Sequence, residues 1–185
     1  MSADDSGLPL SYAQEQLWFL DQLRSGASTE YLMCEAFRIR GPLDTRVLEA
    51  AFTEISARHE VLRTRYGTAQ GAGAQFVAEP GPVRLVRVDL TGTAPADREA
   101  RVRELHAAEL RTPIDLRTEA PWRLTLVRFA EEDAALLVTV HHIAFDGWSW
   151  GVLARELHEL CAAFAAGRPS PLDPVPVQYA DFAHW

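Results

Sequence analysis

The chain has 185 residues, 48% of them hydrophobic, and a formal net charge of −8. That is enough apolar material for one domain with a sizeable core, and no apolar run approaches a membrane span. All 18 basic residues are arginine, with neither lysine nor asparagine present, which excludes a Schiff-base lysine, pyridoxal-phosphate attachment, a P-loop lysine and an N-glycosylation sequon.

The acid excess argues against a nucleic-acid surface, which needs a concentrated basic patch. The densest basic run, Arg98, Arg101 and Arg103, is interleaved with Asp97, Glu99 and Glu104 and reads as a solvated helix face. The opening MSADDSGLPL lacks the basic-then-apolar pattern of a secretory signal, so the cytoplasm is the expected compartment.

In chain order, residues 11–24 carry Ala13, Leu17, Leu20 and Leu23 at helical spacing, and Glu35 to Arg40 alternate as a strand. Pro42-Leu43-Asp44 opens a helix running to about Arg58. Val61 to Tyr66 and Ala74 to Ala78 pair as a hairpin across the glycine-rich 67–73, and Val83 to Asp89 form a further strand. A helix follows over roughly Ala96 to Arg111. Trp122 to Phe129 and Ala134 to Val140 form a second hairpin about the acidic turn Glu131-Glu132-Asp133. From Ser149, Val152, Leu153, Leu157, Leu160, Cys161 and Phe164 share one helical face, with Gly167 as the stop. The proline-rich 167–178 is too stiff and donor-poor for a helix and reads as a linker. Cys34 lies in a strand and Cys161 on a helix face, without CxxC spacing, so both read as reduced core residues. The order implies an α/β fold with a mixed, mostly antiparallel sheet flanked by helices.

The most informative stretch is residues 141–147, HHIAFDG, at a strand-to-turn junction. Successive strand side chains point to opposite faces, so His141 and His142 cannot both enter one site: one is free to react while the other is buried support. Two His and an Asp are acceptable metal ligands, but the His diverge and no second ligand cluster appears, so no metal is expected. On these seven residues alone, a reactive site and a pair of satisfied core histidines before a plain Asp-Gly turn fit equally.

Three other segments shift that balance. Residues 11–20, SYAQEQLWFL, resemble the pattern SxAQxxLWF; residues 58–66, RHEVLRTRY, resemble RHExLRTxF; and residues 179–185, YADFAHW, resemble YxDFAxW. With HHxxxDG at His141 to Gly147, the chain resembles the condensation domain of non-ribosomal peptide synthetases, within the chloramphenicol acetyltransferase-like superfamily. The resemblance implies the N-terminal lobe of a two-lobed domain: residues 1–166 as the lobe, 167–178 as the linker, and 179–185 as the start of the crossing into a C-terminal lobe that the sequence lacks.

The implied reaction is amide formation between a donor acyl or peptidyl thioester and an acceptor amine, both on the phosphopantetheine arms of peptidyl carrier proteins, with no cofactor bound directly. By the same resemblance His142 is catalytic, Asp146 is buried and paired with Arg63, and His141 and Gly147 support the site. Gly147, Trp148 and Ser149 line the phosphopantetheine channel, although Ser149 also reads as a plain N-cap and Trp148 as packing. His59, His106, His158 and His184 read as structural. Both motif histidines are kept, which disfavours a heterocyclising relative, and RHEVLRTRY favours condensation over an epimerization-type relative. A non-catalytic carrier-binding module is the alternative of a different class, and an isolated lobe is expected to be inactive alone.

Overall fold

The computed structural model describes residues 7–23 and 28–185. The acidic start over residues 1–6 and the predicted helix end at position 24 lie outside the described residues.

Strand β1 (Leu8–Pro9) leads into α1 (Tyr12–Leu23), followed by β2 (Leu32–Arg40) and α2 (Thr45–Arg58). A 3-10 turn, Glu60–Arg63, precedes the hairpin β3 (Thr64–Ala69) and β4 (Ala72–Val77), and then β5 (Val86–Asp89). Helix α3 (Arg98–Glu109), β6 (Trp122–Ala130), β7 (Asp133–His141), α4 (Ser149–Ala165) and α5 (Tyr179–His184) complete the chain. The main sheet has the order β2-β7-β6-β5, antiparallel except for the parallel β5–β6 pair, and β1-β4-β3 form a small antiparallel sheet. This is the expected α/β fold with a mixed, mostly antiparallel sheet.

Strand β7 is the central element, and it is buried from Ala134 to His141. Leu136, Val138 and Val140 face a core shared with Phe52 and Ile55 of α2 and Leu153 and Leu160 of α4. Ala135 and Leu137 face the opposite core, against Val102 and Leu105 of α3. A strand covered on both faces reads as a continuous apolar run, as this one does.

The differences from the sequence reading have local causes. Val61 and Leu62 belong to the 3-10 turn, closed by Leu62 N–H on the His59 carbonyl at 3.0 Å, and β3 begins only at Thr64. The hairpin turn is tighter than the glycine-rich stretch suggests: Gln70 and Gly71, at φ 51° and 83°, give the two positive values a two-residue turn requires. Strand β5 starts at Val86 because Val83 N–H donates to Thr53 Oγ1 and Leu85 N–H to Glu49 Oε1, so α2 side chains claim that backbone first. Arg98 is not on a solvated face: it turns inward to Asp133 at 2.7 Å and over the Phe129 ring. Cys34 is buried, Cys161 is half-buried, and both are free thiols.

Helix α4 stops where Gly167 takes φ 67° and the Arg168 N–H reaches back to the Ala163 carbonyl at 2.9 Å, the glycine-dependent helix ending. The proline-rich residues after it form neither helix nor strand and run back along the body, where Arg58 donates to the Leu172 carbonyl. Among the described residues no helix is long and apolar enough to cross a membrane.

Candidate active site

The β7 ladder ends at His141, opposite Leu32 of β2, and one more bond, His142 N–H to the Tyr31 carbonyl at 2.8 Å, extends it by a residue. That extension holds the alternation of the strand through both histidines. His141 is 0% exposed, whereas His142 is exposed.

His141 Nδ1 accepts the Ile143 N–H at 3.1 Å, and the Ala144 N–H closes the turn on the His141 carbonyl. An imidazole nitrogen that accepts carries no proton, so the neutral ring holds its hydrogen on Nε2. Nε2 is buried without a partner among the described residues. Burial, reinforced by the neighbouring His142, pushes His141 down to about 4, so it is neutral at physiological pH. Its observed contact is to the backbone that aims the following loop.

His142 lines an open cavity of about 430 Å³. Its walls come from three places: His59 and Val61 after α2, residues 143–146 with Trp148 and Ser149, and Val175, Val177, Gln178, Tyr179 and Phe182. A smaller cavity of about 220 Å³, lined by Ile55, Leu62, Val152 and Leu153, shares His59, Val61, Ala144, Phe145 and Ser149 with it.

Asp146 is exposed and does not pair with Arg63, which corrects the expectation of a buried ion pair. Its Oδ1 accepts the Ser149 N–H at 2.9 Å and the Ser149 hydroxyl at 2.7 Å, and its own N–H donates to Ser149 Oγ at 3.3 Å. The exchange has the reciprocity of a capping box but lies just ahead of α4, ending on its first residue. Ser149 is therefore not the N-cap: it is the first residue of α4, which follows Trp148 and has no side-chain cap bond. These Ser149 hydrogen bonds hold the Asp146 carboxyl below its usual range. Arg63 instead donates to the Ala78 carbonyl and, at 3.2 Å, to Glu60, which fastens the 3-10 turn to the end of β4.

Trp148 lines the cavity and is 83% exposed, and Ser149 lines it from the helix start. Gly147 sits beside them without lining it, and a β-carbon there would meet no atom within 4 Å. Among the described residues no three His, Cys, Asp or Glu side chains gather as a metal-binding group.

The sequence reading missed two contributors. Glu156, on the inner face of α4, is 5% exposed at its side chain and accepts from His59 Nε2 at 2.8 Å and Arg58 at 3.5 Å. The available signal was its position, three residues after Leu153 and four before Leu160, inside the apolar stripe. Gln178 clamps the RHE segment: its Oε1 accepts the Glu60 N–H at 3.1 Å, and its Nε2 donates to the Arg58 carbonyl at 2.9 Å.

The family model for the condensation domain matches residues 5–185. The chain belongs to the condensation-domain family. Enniatin synthetase of Fusarium oxysporum is 42% identical over 178 residues, which cover 95% of this chain and 6% of that protein. The X-domain from teicoplanin biosynthesis superposes with a TM-score of 0.83 at 33% identity, over 100% of this chain and 39% of that one. The first condensation domain of the calcium-dependent antibiotic synthetase, solved with a substrate analogue, gives 0.81 at 27% identity, over 91% of this chain and 40% of that one. The chain thus spans a small part of the synthetase and about two fifths of each solved chain.

Proposed function

We propose that this chain is the N-terminal lobe of a non-ribosomal peptide synthetase condensation domain and supplies His142 to an amide-forming site. The observation that carries the reading is the divergence of the two motif histidines: His141 is sealed in the core and His142 is presented to an open cavity. In the reaction, the nitrogen lone pair of the acceptor amine attacks the donor thioester carbonyl, the C–N bond forms, the C–S bond breaks, and the thiolate takes up a proton. His142 accepts or orients the proton that the amine must lose, a role worth about 10²–10⁴ in rate for a positioned general base.

Both substrates arrive on the phosphopantetheine arms of donor and acceptor peptidyl carrier proteins, entering past Gly147, Trp148 and Ser149. Residues 1–166 act as the lobe, 167–178 as the linker and 179–185 as the crossing to a C-terminal lobe that completes the channel. His141, Gly147 and Asp146 support the site through the loop and helix start, and Arg63 supports it through the 3-10 turn. The setting is the cytoplasm, where the free thiols Cys34 and Cys161 stay reduced.

The test is His142→Ala in the complete protein, with amide product measured from loaded carriers. A loss of about 100-fold or more with unchanged folding is expected, and an unchanged rate would sink the catalytic role. A second reading, a binding module that joins nothing, is favoured by one comparison: the teicoplanin X-domain, 33% identical, is also solved in complex with OxyB. That reading predicts no product from the unaltered protein and retained carrier binding.

A further inference from the structure

His59 and Glu156 form a carboxylate–imidazole pair on the wall of the His142 cavity, outside the HHxxxDG motif. His59 lines both the 430 Å³ cavity and its 220 Å³ side chamber, and Glu156 lines the side chamber. The pair is well defined at one end: Glu156 Oε2 meets His59 Nε2 at 2.8 Å, and Oε1 faces Arg58, which supplies the compensating positive charge. A buried carboxylate beside an imidazole fixes which ring nitrogen carries the proton. With Nε2–H donating to Glu156, the ring in its uncharged form leaves Nδ1 as a hydrogen-bond acceptor, and Nδ1 has no partner among the described residues. The His59 side chain is 25% exposed. The other polar groups lining the side chamber, Glu156 and Ser149, are already engaged with Arg58 and His59 and with Asp146, and the rest of its wall is apolar, chiefly Ile55, Leu62, Val152 and Leu153.

We infer that His59, oriented by Glu156, is a substrate-binding residue that accepts a hydrogen bond from an N–H group of a substrate in the His142 cavity. The inference rests on the amide-forming reading above and adds a second point of attachment to it. The N–H comes from one of two sources with the same chemistry: the attacking amine of the acceptor, or an amide N–H along the donor's arm. A role limited to tying the end of α2 to α4 would need only the Nε2–Glu156 contact, and this difference makes the two roles separable.

His59→Gln separates them, because a glutamine amide reaches Glu156 as Nε2 does but places no acceptor at the position of Nδ1. The experiment is steady-state amide formation by the complete protein, varying loaded donor carrier and loaded acceptor carrier in turn, with the unfolding midpoint measured alongside. His59→Gln is expected to raise one KM about fivefold to tenfold, the worth of one neutral hydrogen bond, with kcat and the midpoint unchanged. A raised acceptor KM identifies the attacking amine, and a raised donor KM identifies an arm amide. Both KM values unchanged would overturn the inference while leaving the reaction intact. Absence of product from the unaltered protein would overturn the reaction and the role of His59 with it. Should His59→Gln not fold, Glu156→Gln supplies the answer: a neutral amide no longer fixes which His59 nitrogen carries the proton, so the same KM is expected to rise, and both KM values unchanged would count against the inference.

Discussion

The Asp146 carboxylate and the Ser149 hydroxyl stand 2.7 Å apart, and each accepts the other's backbone N–H. The exchange spans three residues and sits between the loop that presents His142 and the first turn of α4. It ties the first turn of the helix to the path of the loop, so the contacts of the HHxxxDG aspartate are local to its own turn. The Gly147-Trp148 dipeptide between the two partners is the exposed crest of this turn.

One consequence is that Asp146 and Arg63 contribute independently. Asp146→Ala removes the two hydrogen bonds that its carboxylate accepts from Ser149 and is expected to cost about 1 kcal/mol. Arg63→Ala frees the Ala78 carbonyl and Glu60, and its cost is separate. In urea unfolding of the two single variants and the double, the losses should add to within about 0.5 kcal/mol. A coupling energy of about 3 kcal/mol would instead be the mark of a direct buried pair.

His141 should make the fold sensitive to mild acid. Its folded value of about 4 lies below the ordinary 6.5, so between those limits the unfolded chain binds the proton and the folded chain does not. Stability therefore rises with pH across that window, is fully present above about 6.5, and is lost as the pH falls toward 4. The whole effect is about 3 kcal/mol at most, from roughly 1.4 kcal/mol per pH unit. His141→Asn keeps an acceptor for the Ile143 N–H and cannot titrate, so its stability profile from pH 7 to 4 should be flatter than that of the parent. An imidazole resonance of His141 that titrates above pH 6 would refute the burial argument.

Local sequence made most of this architecture legible, and what escaped shares one cause. Strands β6 and β7 were readable because they are covered on both faces, and α2 because Leu48, Ala51, Phe52 and Ile55 repeat at helical spacing. The divergence of His141 and His142 follows from strand alternation alone. What the sequence hid are polar contacts between segments far apart in the chain. Glu109 of α3 accepts from Arg123 and Thr125 on β6 and Thr139 on β7, and nothing in a window around residue 109 indicates it. The shortened start of β5 has the same origin, since Thr53 and Glu49 of α2 compete for its backbone. The Asp146–Arg63 expectation failed because a family pattern names residue types at positions, whereas here the carboxylate finds nearer donors within its own turn.

The same logic bears on residues 175–182, which read as linker and crossing in the sequence but form a wall of the His142 cavity. Their attachment is concentrated in two side chains. Gln178 bridges the Glu60 N–H and the Arg58 carbonyl, and the Tyr179 hydroxyl meets Ser11 Oγ at 3.0 Å. Gln178→Met keeps the length of the side chain and removes both of its hydrogen bonds to the RHE segment, leaving half-buried backbone groups unpaired at a cost of about 1–3 kcal/mol. Hydrogen exchange at the Glu60 amide should accelerate, while β7 amides stay protected, because the break is local to one edge of the body. Tyr179→Phe alone should do little. Combined with Gln178→Met it should release the wall, seen as fast exchange across 178–182 and as increased accessibility of His142 to an imidazole-modifying reagent. Unaltered exchange at Glu60 in Gln178→Met would show that the segment is held by its other contacts, the buried Ala180 among them, and that the glutamine clamp is incidental.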